Sequence, residues 1–215
     1  APASSPKVLL FQGLAKGDKM ETVIRHATEL GVSGFVPLAC KRSVMKVDRK
    51  KAFSKAARWR AIAKSAAMQS GQLAVPEVME PCSVAEACTL LSSLDVVLVC
   101  WEEAPGTASL ADALGDALGD RSGDGMRRAT IGVVVGPEGG LDQDEVDAIL
   151  GCNPNASLVT LGPSILRTET AGIVAPALVI YELGGLGRTH GASSQDEADV
   201  DDSFKNAEQP VSYYH

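Results

Sequence analysis

The feature that most constrains the fold is a pair of continuous runs in the middle of the chain, at residues 95–101 and 130–135, that are rich in β-branched residues and do not alternate with polar ones. A strand with one solvated face alternates apolar and polar residues, whereas a strand buried on both faces does not. Runs of this kind are typical of the central strands of a parallel sheet, whose strands are joined by crossover helices. We therefore expect an α/β fold with a largely parallel sheet.

The remaining chain supplies further strands and the helices that connect them. Apolar runs predict strands at residues 8–11, 35–38 and 156–161. Helical spacing of apolar residues predicts helices at residues 19–30, 48–72, 109–118, 142–150 and 168–183. Asp18 is placed to cap the first helix, while Gly31, Gly71 and Gly151 are placed to end the first, second and fourth. Strands that alternate with helices predict a three-layer α/β domain.

The two ends of the chain lack the apolar periodicity of folded segments. Residues 1–6 are small and contain proline, so we expect a frayed N-terminus. Residues 187–215 are rich in Gly, Ser, Asp and Glu, which predicts a disordered acidic tail. The folded domain is therefore predicted to span residues 7–186.

Charge is distributed unevenly along the sequence. The formal net charge of −7 argues against a surface that binds nucleic acid by bulk attraction. Acidic residues concentrate at residues 195–202, however, and this leaves a basic segment near the start of the chain. That segment contains Lys41, Arg42, Lys46, Arg49, Lys50, Lys51, Lys55, Arg58 and Arg60. It predicts a basic patch, although a charge run by itself also suits a solvated face.

The five cysteines are widely spaced and include no Cys-x-x-Cys pair. This pattern predicts neither a disulfide framework nor a zinc site, and we expect reduced thiols and no metal. No apolar run approaches the ~20 residues of a membrane helix, and the start of the chain lacks the regions of a signal peptide. We expect a cytoplasmic protein.

Glycine-rich turns follow two of the predicted strands. Residues 130–135 run into Gly136-Pro-Glu-Gly-Gly140, and the last strand runs into Leu161-Gly-Pro163. Open α/β sheets bind ligands at the carboxyl ends of their strands, and glycine lets a ligand approach the backbone. The first loop alone is also consistent with an ordinary turn, and it matches neither a dinucleotide fingerprint nor a P-loop. Two such loops, the second before a helix N-terminus, predict a pocket for an anion or a polar ligand.

Both loops, in this order, resemble the signature of the RsmE family in the SPOUT superfamily. The second loop continues as Ile165-Leu-Arg-Thr-Glu-Thr-Ala171, which matches that signature together with the first loop. Further likeness lies at residues 16–21, 29–32, 41–43, 58–59 and 69–71. The resemblance therefore covers roughly residues 11–183.

The resemblance implies a SPOUT-type knotted domain with a C-terminal trefoil knot, and a homodimer that completes each active site. It also implies that S-adenosylmethionine binds in a bent form among three loops, held largely by backbone groups, and leaves as S-adenosylhomocysteine. The cofactor-binding residues that it indicates are Cys100, Trp101, Glu102, Val135, Gly136, Pro137, Glu138, Gly139, Gly140, Leu161, Gly162, Pro163, Ser164, Ile165, Leu166, Thr170 and Ala171.

Members of the family methylate N3 of a uridine in small-subunit (16S) ribosomal RNA. That reaction requires loss of the imide proton and an oriented attack on the methyl group. We expect Arg167 to orient the base or to stabilise charge on a uracil carbonyl, with Glu169 or Thr168 as its partner. A capping ion pair between Arg167 and Glu169 is the simpler alternative. The residues predicted to bind RNA are Lys16, Lys19, Arg42, Lys46, Arg58, Trp59 and Gln69.

The sequence also departs from the family pattern. Ser164 stands where many members of the family have Arg, and the resemblance begins near the start of the given chain, so we expect the family's N-terminal PUA-like barrel to be absent from it. Three other functions therefore stay open: a knotted methyltransferase with another RNA target, a non-catalytic RNA-binding or ribosome-assembly factor, and a domain that binds some other nucleotide.

Overall fold

The computed structural model describes residues 6–44, 49–101, 107–119 and 128–185. The strands in these ranges are β1 (Lys7–Gly13), β2 (Gly34–Leu38), β3 (Glu77–Val78), β4 (Val96–Cys100), β5 (Ala108–Ser109), β6 (Thr130–Val135) and β7 (Ala156–Thr160). The helices are α1 (Lys19–Glu29), α2 (Arg49–Gln69), α3 (Val84–Leu91), α4 (Leu110–Leu118), α5 (Gln143–Cys152) and α6 (Thr168–Glu182).

The strands form one sheet in the order β3-β2-β1-β6-β4-β7-β5. Every neighbouring pair in this sheet is parallel. The two runs that the sequence marks as doubly buried, β4 and β6, are neighbours near its centre, where Leu98 pairs with Val133. The parallel sheet expected from these runs is therefore confirmed.

Helices cover both faces of the sheet, because side chains of successive strand residues point to opposite sides. Leu10 of β1 joins a core cluster with Met20 of α1 and Val179 of α6, and α2 and α4 also contribute to that cluster. Phe11, the next residue of β1, joins the opposite cluster with Ile149 of α5, to which α3 also contributes. The three-layer α/β arrangement predicted from the sequence is confirmed.

The ends of the helices agree in part with those predicted from the sequence. Asp18 precedes α1 as predicted, although its side chain makes no capping hydrogen bond. Gly31 and Gly71 follow α1 and α2 with φ values of 98° and 69°, the left-handed conformation expected after a helix. The prediction that Gly151 ends the helix predicted at residues 142–150 is wrong, since this helix, α5, continues through Gly151 to Cys152.

Three short elements lay outside the sequence prediction. β3 and β5 have 2 residues each and lie at the two edges of the sheet. α3 has 8 residues and begins with a capping box, in which Ser83 accepts from the backbone of Glu86 and Glu86 accepts in return. The Ser-x-x-Glu spacing is a sequence signal for such a helix start.

The predicted ends of the domain lie partly outside the described residues, which omit residues 1–5 and 186–215. The frayed N-terminus, the acidic tail and the boundaries of the domain therefore stay predictions. The trefoil knot that the resemblance implies also stays a prediction.

Candidate active site

A cleft with a volume of about 400 Å³ lies at the carboxyl edge of the sheet. Three segments line it: the end of β4, the loop from β6 to α5, and the connection from β7 to α6. β6, β4 and β7 are consecutive in the sheet, so their carboxyl ends lie side by side. Ligands of open α/β sheets bind outside these ends, which makes the cleft the candidate site.

The loop from β6 to α5 is a tight turn that depends on glycine. The backbone N–H of Gly140 donates to the carbonyl oxygen of Pro137 at 2.9 Å, and Gly140 has a φ of 72°. A Cβ atom on Gly139 would lie 3.0 Å from both the Cβ atom and the backbone oxygen of Arg42. Each position of the Gly-Gly pair therefore requires glycine for its own reason: Gly140 has a left-handed backbone, and Gly139 has a close neighbour.

The connection from β7 to α6 forms another wall of the cleft. It begins with a local turn, in which the hydroxyl of Thr160 accepts from Gly162 N–H at 3.2 Å and donates to Gly162 O at 3.1 Å. It ends at Arg167, the N-cap residue of α6, whose side chain makes no capping hydrogen bond. Among the described residues, no ion pair involves Arg167, which is exposed at the cleft. Its guanidinium is therefore available to a bound substrate.

Lys19 of α1 connects two walls of the cleft. Its Nζ lies 3.2 Å from Oε1 of Glu138 and 3.2 Å from Oε2 of Glu169. Hydrogen bonds to Glu169 and Glu138 raise the pKa of Lys19. Partial burial opposes ionisation of Glu138, but the backbone N–H of Lys16, 2.9 Å away, and the Lys19 ammonium together lower the pKa of Glu138. Lys19 and Glu138 are therefore both charged at neutral pH.

A buried hydrogen-bonded chain links three segments behind the cleft. Nε2 of Gln12, at the end of β1, donates to Oγ1 of Thr168 at 2.8 Å. Oγ1 of Thr168 donates to the carbonyl oxygen of Gly136 at 2.5 Å. Thr168 and Gly136 line the cleft, whereas Gln12 is 1% exposed and lies beneath them. The separation of the first helix turn of α6 from the glycine loop is thus set by side-chain hydrogen bonds.

Cys100 and Trp101 contact the cleft from the end of β4. Burial raises the pKa of the Cys100 thiol to about 12, so the thiol is neutral at physiological pH. A nucleophilic role requires a thiolate, which this environment disfavours. Cys100 therefore contributes apolar surface to the site.

Most of the predicted cofactor-binding residues meet at this cleft. Those that line it are Cys100, Trp101, Gly136, Pro137, Glu138, Gly140, Leu161, Gly162, Ser164, Ile165, Leu166 and Ala171. Val135, Gly139, Pro163 and Thr170 do not line it, and Glu102 lies outside the described residues. The cleft also includes residues that the sequence prediction did not assign to the cofactor, namely Lys19, Leu141, Val159, Thr160, Arg167 and Thr168. Val159 and Thr160 end β7, so the rule of strand carboxyl ends would have found them.

Among the described residues, Arg167 forms no ion pair with Glu169, so the predicted capping ion pair is not present, while the catalytic roles of the two residues stay predictions. The carboxylate of Glu169 instead binds Lys19, and Glu169 does not line the cleft. Arg167 does line it. The two catalytic candidates therefore have different surroundings. Arg167 faces the cleft, whereas Glu169 binds Lys19 of α1.

The residues predicted to bind RNA differ in their surroundings. Trp59 is 2% exposed and belongs to the hydrophobic core, so the prediction that it stacks on a base is wrong. Lys16 is exposed, Lys19 is held by two carboxylates, and Arg58 pairs with Glu21 at 2.7 Å. Gln69 lies in a second, smaller cavity between α1 and α2. Lys46 lies outside the described residues.

The predicted basic patch is partly neutralised by acidic neighbours. Nζ of Lys41 lies 3.1 Å from Asp142 and 2.6 Å from Asp144, and Arg42 lies 3.8 Å from Asp142. Arg60 donates to the backbone oxygen of Val78 at 2.8 Å. Through these ion pairs and this hydrogen bond, the cations hold the basic segment against the rest of the domain.

The described ranges lack two further features. They contain no cluster of three or more His, Cys, Asp or Glu residues that could hold a metal ion. They also contain no helix with the length and apolar character needed to cross a membrane.

Comparison with known proteins decides the family. A sequence model of the RNA methyltransferase domain matches residues 3–180 of the chain. The chain belongs to this family. The resemblance to RsmE proteins that the two glycine loops predict is confirmed, since curated relatives of this RNA methyltransferase domain are ribosomal RNA small subunit methyltransferases E.

Two such relatives come from Bacillus subtilis and Mycobacterium tuberculosis. The domain is 39% identical to the first over 178 residues, covering 82% of this chain and 66% of the relative. It is 34% identical to the second over 178 residues, covering 81% of this chain and 63% of the relative. The chain thus spans slightly less than two thirds of the length of these relatives.

Solved structures agree with this assignment. A methyltransferase from Legionella pneumophila, in complex with bound S-adenosylmethionine, is 27% identical with a TM-score of 0.70, covering 83% of this chain and 67% of that one. A ribosomal RNA small subunit methyltransferase E from Neisseria gonorrhoeae, bound to S-adenosylmethionine, is 31% identical with a TM-score of 0.67, covering 80% and 65%.

Proposed function

We propose that this RNA methyltransferase domain binds S-adenosylmethionine in the cleft and transfers the methyl group to N3 of a specific uridine in small-subunit (16S) ribosomal RNA. The observation that carries the proposal is that three segments far apart in sequence, which the resemblance assigns to the cofactor, line a single cleft. A ribosomal RNA substrate implies a cytoplasmic enzyme.

The residues of the cleft suit this cofactor. Its volume of about 400 Å³ falls within the range of roughly 300–1,000 Å³ that is usual for small-molecule sites. Leu161, Leu166 and Ala171 pack against the main core cluster and offer apolar surface to an adenine ring. Gly136, Gly140 and Gly162 leave backbone groups accessible at the same cleft. Both solved relatives described above contain S-adenosylmethionine.

When bound, S-adenosylmethionine supplies an electrophilic methyl group on a sulfonium ion. The uracil N3 must lose its proton before it attacks, and the resulting negative charge spreads to the uracil carbonyl oxygens. Arg167 is the exposed cation of the cleft that is not held by a carboxylate among the described residues. Its guanidinium can donate to such a carbonyl, where it orients the base and stabilises the developing charge.

Glu169 takes a positioning role in this scheme. Its carboxylate binds Lys19, which also binds Glu138 of the glycine loop. The ion pairs hold α1, the glycine loop and the start of α6 together around the cleft. Glu169 thus influences the reaction through Lys19 rather than by contact with the uridine.

Exposed cations among the described residues are suited to the phosphates of the RNA. The side chain of Lys16 is exposed, the guanidinium of Arg42 lies 3.5 Å from Gly139 O, and Arg58 has a side chain that is 69% exposed. Gln69 can add a polar contact from α2. Because the whole chain carries a net charge of −7, RNA contacts depend on this local surface and weaken with added salt.

The family's homodimer is also part of the proposal. Three large apolar side chains are exposed on or near α6: Ile165 at 79%, Leu178 at 40% and Tyr181 at 63%. Ile165 also lines the cleft, so a second copy that packs on Ile165 would cover part of the site. Exposed apolar surface is typical of interaction surfaces.

A second candidate function is a ribosome-assembly factor that binds RNA and cofactor without methyl transfer. The observation that favours it is Ser164, a short, uncharged and exposed side chain at the cleft. The family resemblance leads us to expect an arginine there, which would add a cation next to the substrate.

Calorimetric titration separates these functions from the binding of an unrelated nucleotide. The full chain is titrated with S-adenosylmethionine, S-adenosylhomocysteine, ATP and NAD. The proposal predicts saturable binding of the first two and none of the others. Binding of ATP or NAD in preference to S-adenosylhomocysteine would contradict the proposal and favour a different nucleotide-binding protein.

A further inference from the structure

Gln12 is a buried amide that the proposed chemistry does not use. It ends β1 beneath the cleft, is 1% exposed and does not line the cleft itself. Burial of an amide is unfavourable unless hydrogen bonds compensate for lost water. The side-chain N–H groups have two acceptors, Thr168 Oγ1 at 2.8 Å and Gly13 O at 3.3 Å. Its Oε1 has no hydrogen-bond partner among the described residues. The amide therefore acts as a donor.

The donor role of Gln12 fixes the direction of the next hydrogen bond. The Thr168 hydroxyl has a single hydrogen, and its oxygen already accepts from Gln12 Nε2. That hydrogen therefore donates to Gly136 O, which lies 2.5 Å away. An acceptor at the position of Gln12 Nε2 would instead compete for the hydrogen, and the bond to Gly136 would weaken.

Two glycines allow the end of β1 to pack closely against the glycine loop and α6. A Cβ atom on Gly13 would lie 2.3 Å from the backbone nitrogen of Pro137, in the glycine loop. A Cβ atom on Gly172, in α6, would lie 2.2 Å from Gln12 Oε1. Both distances are far below van der Waals contact, so the backbone of β1 packs directly on the loop and Gln12 packs directly on the helix.

An apolar side chain at position 12 would fill the space that Gln12 occupies without leaving an unpaired Oε1 atom. Replacing a buried polar group by an apolar group of similar shape is often neutral for stability, whereas an unpaired buried acceptor is costly. A role in stability alone thus does not explain an amide here. The two groups that the amide connects, Thr168 and Gly136, both line the cleft.

We propose that Gln12 is a positioning residue for the cofactor: by orienting the Thr168 hydroxyl toward Gly136, it holds the glycine loop and the start of α6 at the separation that S-adenosylmethionine requires. This inference rests on the proposed function, since it assumes that the cofactor binds between these two segments. Gln12 contacts the hydroxyl and not the cofactor.

The test compares Gln12→Met, which keeps a similar length but has no donor, with Thr168→Val and with the conservative Thr168→Ser. For each full-length variant, the Kd of S-adenosylhomocysteine is measured by calorimetry and Tm by thermal unfolding. We expect Gln12→Met to weaken binding about tenfold, as when a group behind a ligand loses its support, with little change in Tm. We expect Thr168→Val to weaken binding to a similar extent. Thr168→Ser, which keeps the hydroxyl, should bind S-adenosylhomocysteine like the wild type.

The double variant Gln12→Met, Thr168→Val tests whether the two residues act as one chain. We expect it to bind S-adenosylhomocysteine no more weakly than either single variant, because one break already releases Gly136. If Gln12→Met does not fold, the comparison of Thr168→Val with Thr168→Ser tests the same hydrogen bond to Gly136.

The outcomes distinguish this inference from the proposed function. If the wild type binds S-adenosylhomocysteine and Gln12→Met binds it within about twofold, the inference is overturned and the proposed function stands. Full additivity in the double variant would also overturn it. If the wild type binds no S-adenosylhomocysteine, the proposed function fails and the inference fails with it.

Discussion

The ammonium group of Lys19 lies 3.2 Å from the carboxylate of Glu169, and this pair joins the first helix of the domain to the last. Lys19 binds Glu138 at the same distance, so one cation holds two walls of the cleft. The two ion pairs give Lys19 a structural position at the site, and we propose this role for it in place of a contact with RNA phosphates. Arg167, which has no such ion pair among the described residues, is the cation that we propose acts on the substrate.

Replacement of Lys19 tests this assignment. Lys19→Met removes both ion pairs and leaves the neighbouring carboxylates of Glu138 and Glu169 to repel each other. Misplacement of a site by about 1 Å can cost roughly a hundredfold in rate, so we expect methyl transfer to fall between about tenfold and a hundredfold. Steady-state transfer from radiolabelled S-adenosylmethionine provides the measurement. Lys64→Met on the exposed side of α2 is the matched control, and an equal loss there would contradict the assignment.

Arg167 is expected to affect the reaction more than cofactor binding. Arg167→Ala removes the guanidinium that we propose stabilises charge on the uracil, and loss of one such donor typically costs about a hundredfold to a thousandfold in kcat. The Kd of S-adenosylhomocysteine should change by no more than a few-fold. Calorimetry and single-turnover transfer separate the two effects, with Arg167→Lys as the variant that keeps the charge. Unchanged turnover in Arg167→Ala would refute the catalytic assignment.

Gly172 should not tolerate a side chain, although it lies inside a helix. In Gly172→Ala, the new Cβ atom would meet Gln12 Oε1 at 2.2 Å and Val23 Cγ1 at 3.1 Å. Such overpacking costs about 1–3 kcal/mol of unfolding free energy. Gly115→Ala in α4 is the matched control, because a Cβ atom there meets nothing within 4 Å, and we expect it to stabilise by roughly 0.5–1 kcal/mol. Urea unfolding of both variants tests the packing, and equal stabilisation would contradict it.

Stability should decrease in alkali because of the Cys100 thiol. Burial raises the pKa of this thiol from 9.0 to about 12. A group whose folded-state pKa is raised contributes stability fully below its unfolded pKa and loses it as the pH rises through the folded pKa. The contribution is therefore complete below pH 9 and is lost as the pH rises through about 12. At about pH 10 the expected loss is roughly 1.4 kcal/mol.

Cys100→Val isolates this effect from the other titrating groups. Urea unfolding at about pH 8 and pH 10 should show a larger loss for the wild type than for the variant, by roughly 1.4 kcal/mol. Equal losses in the two proteins would show that the thiol ionises normally in the folded state. Such a result would reopen the question of a reactive thiolate at the cleft.

The sequence predicted those parts of the fold that local pattern determines. Apart from Thr130, the residues of β4 and β6 are apolar because both faces of these strands are covered, and α1 shows its buried stripe through Met20 and Val23. The edge strands β3 and β5 were missed because 2 residues each carry no periodicity. The helix α3 was missed, although the Ser-x-x-Glu spacing of the Ser83–Glu86 capping box indicates a helix start. The order of strands in the sheet depends on contacts between distant segments, which single-sequence pattern does not contain.

The same distinction applies to the site. Glycine loops at strand ends predicted where the cleft lies, because all parallel strands present their carboxyl ends at one edge. Pairings within the site were not predictable in this way. Gln12 and Thr168 are 156 positions apart, and no local pattern marks Gln12 as different from other strand residues. Trp59 was assigned to RNA because an aromatic residue among cations suits stacking, yet the same residue serves as core on an amphipathic helix.

The central claim is that this domain methylates N3 of a uridine in small-subunit ribosomal RNA. Its most direct test incubates the full chain with S-adenosylmethionine and small ribosomal subunits that lack the modification, beside naked ribosomal RNA and transfer RNA, and then identifies the methylated nucleoside by mass spectrometry. The account predicts N3-methyluridine at one position of the small-subunit RNA, and its loss with Arg167→Ala. Subunit binding without any methyl transfer, or methylation of another atom or another RNA, would contradict it.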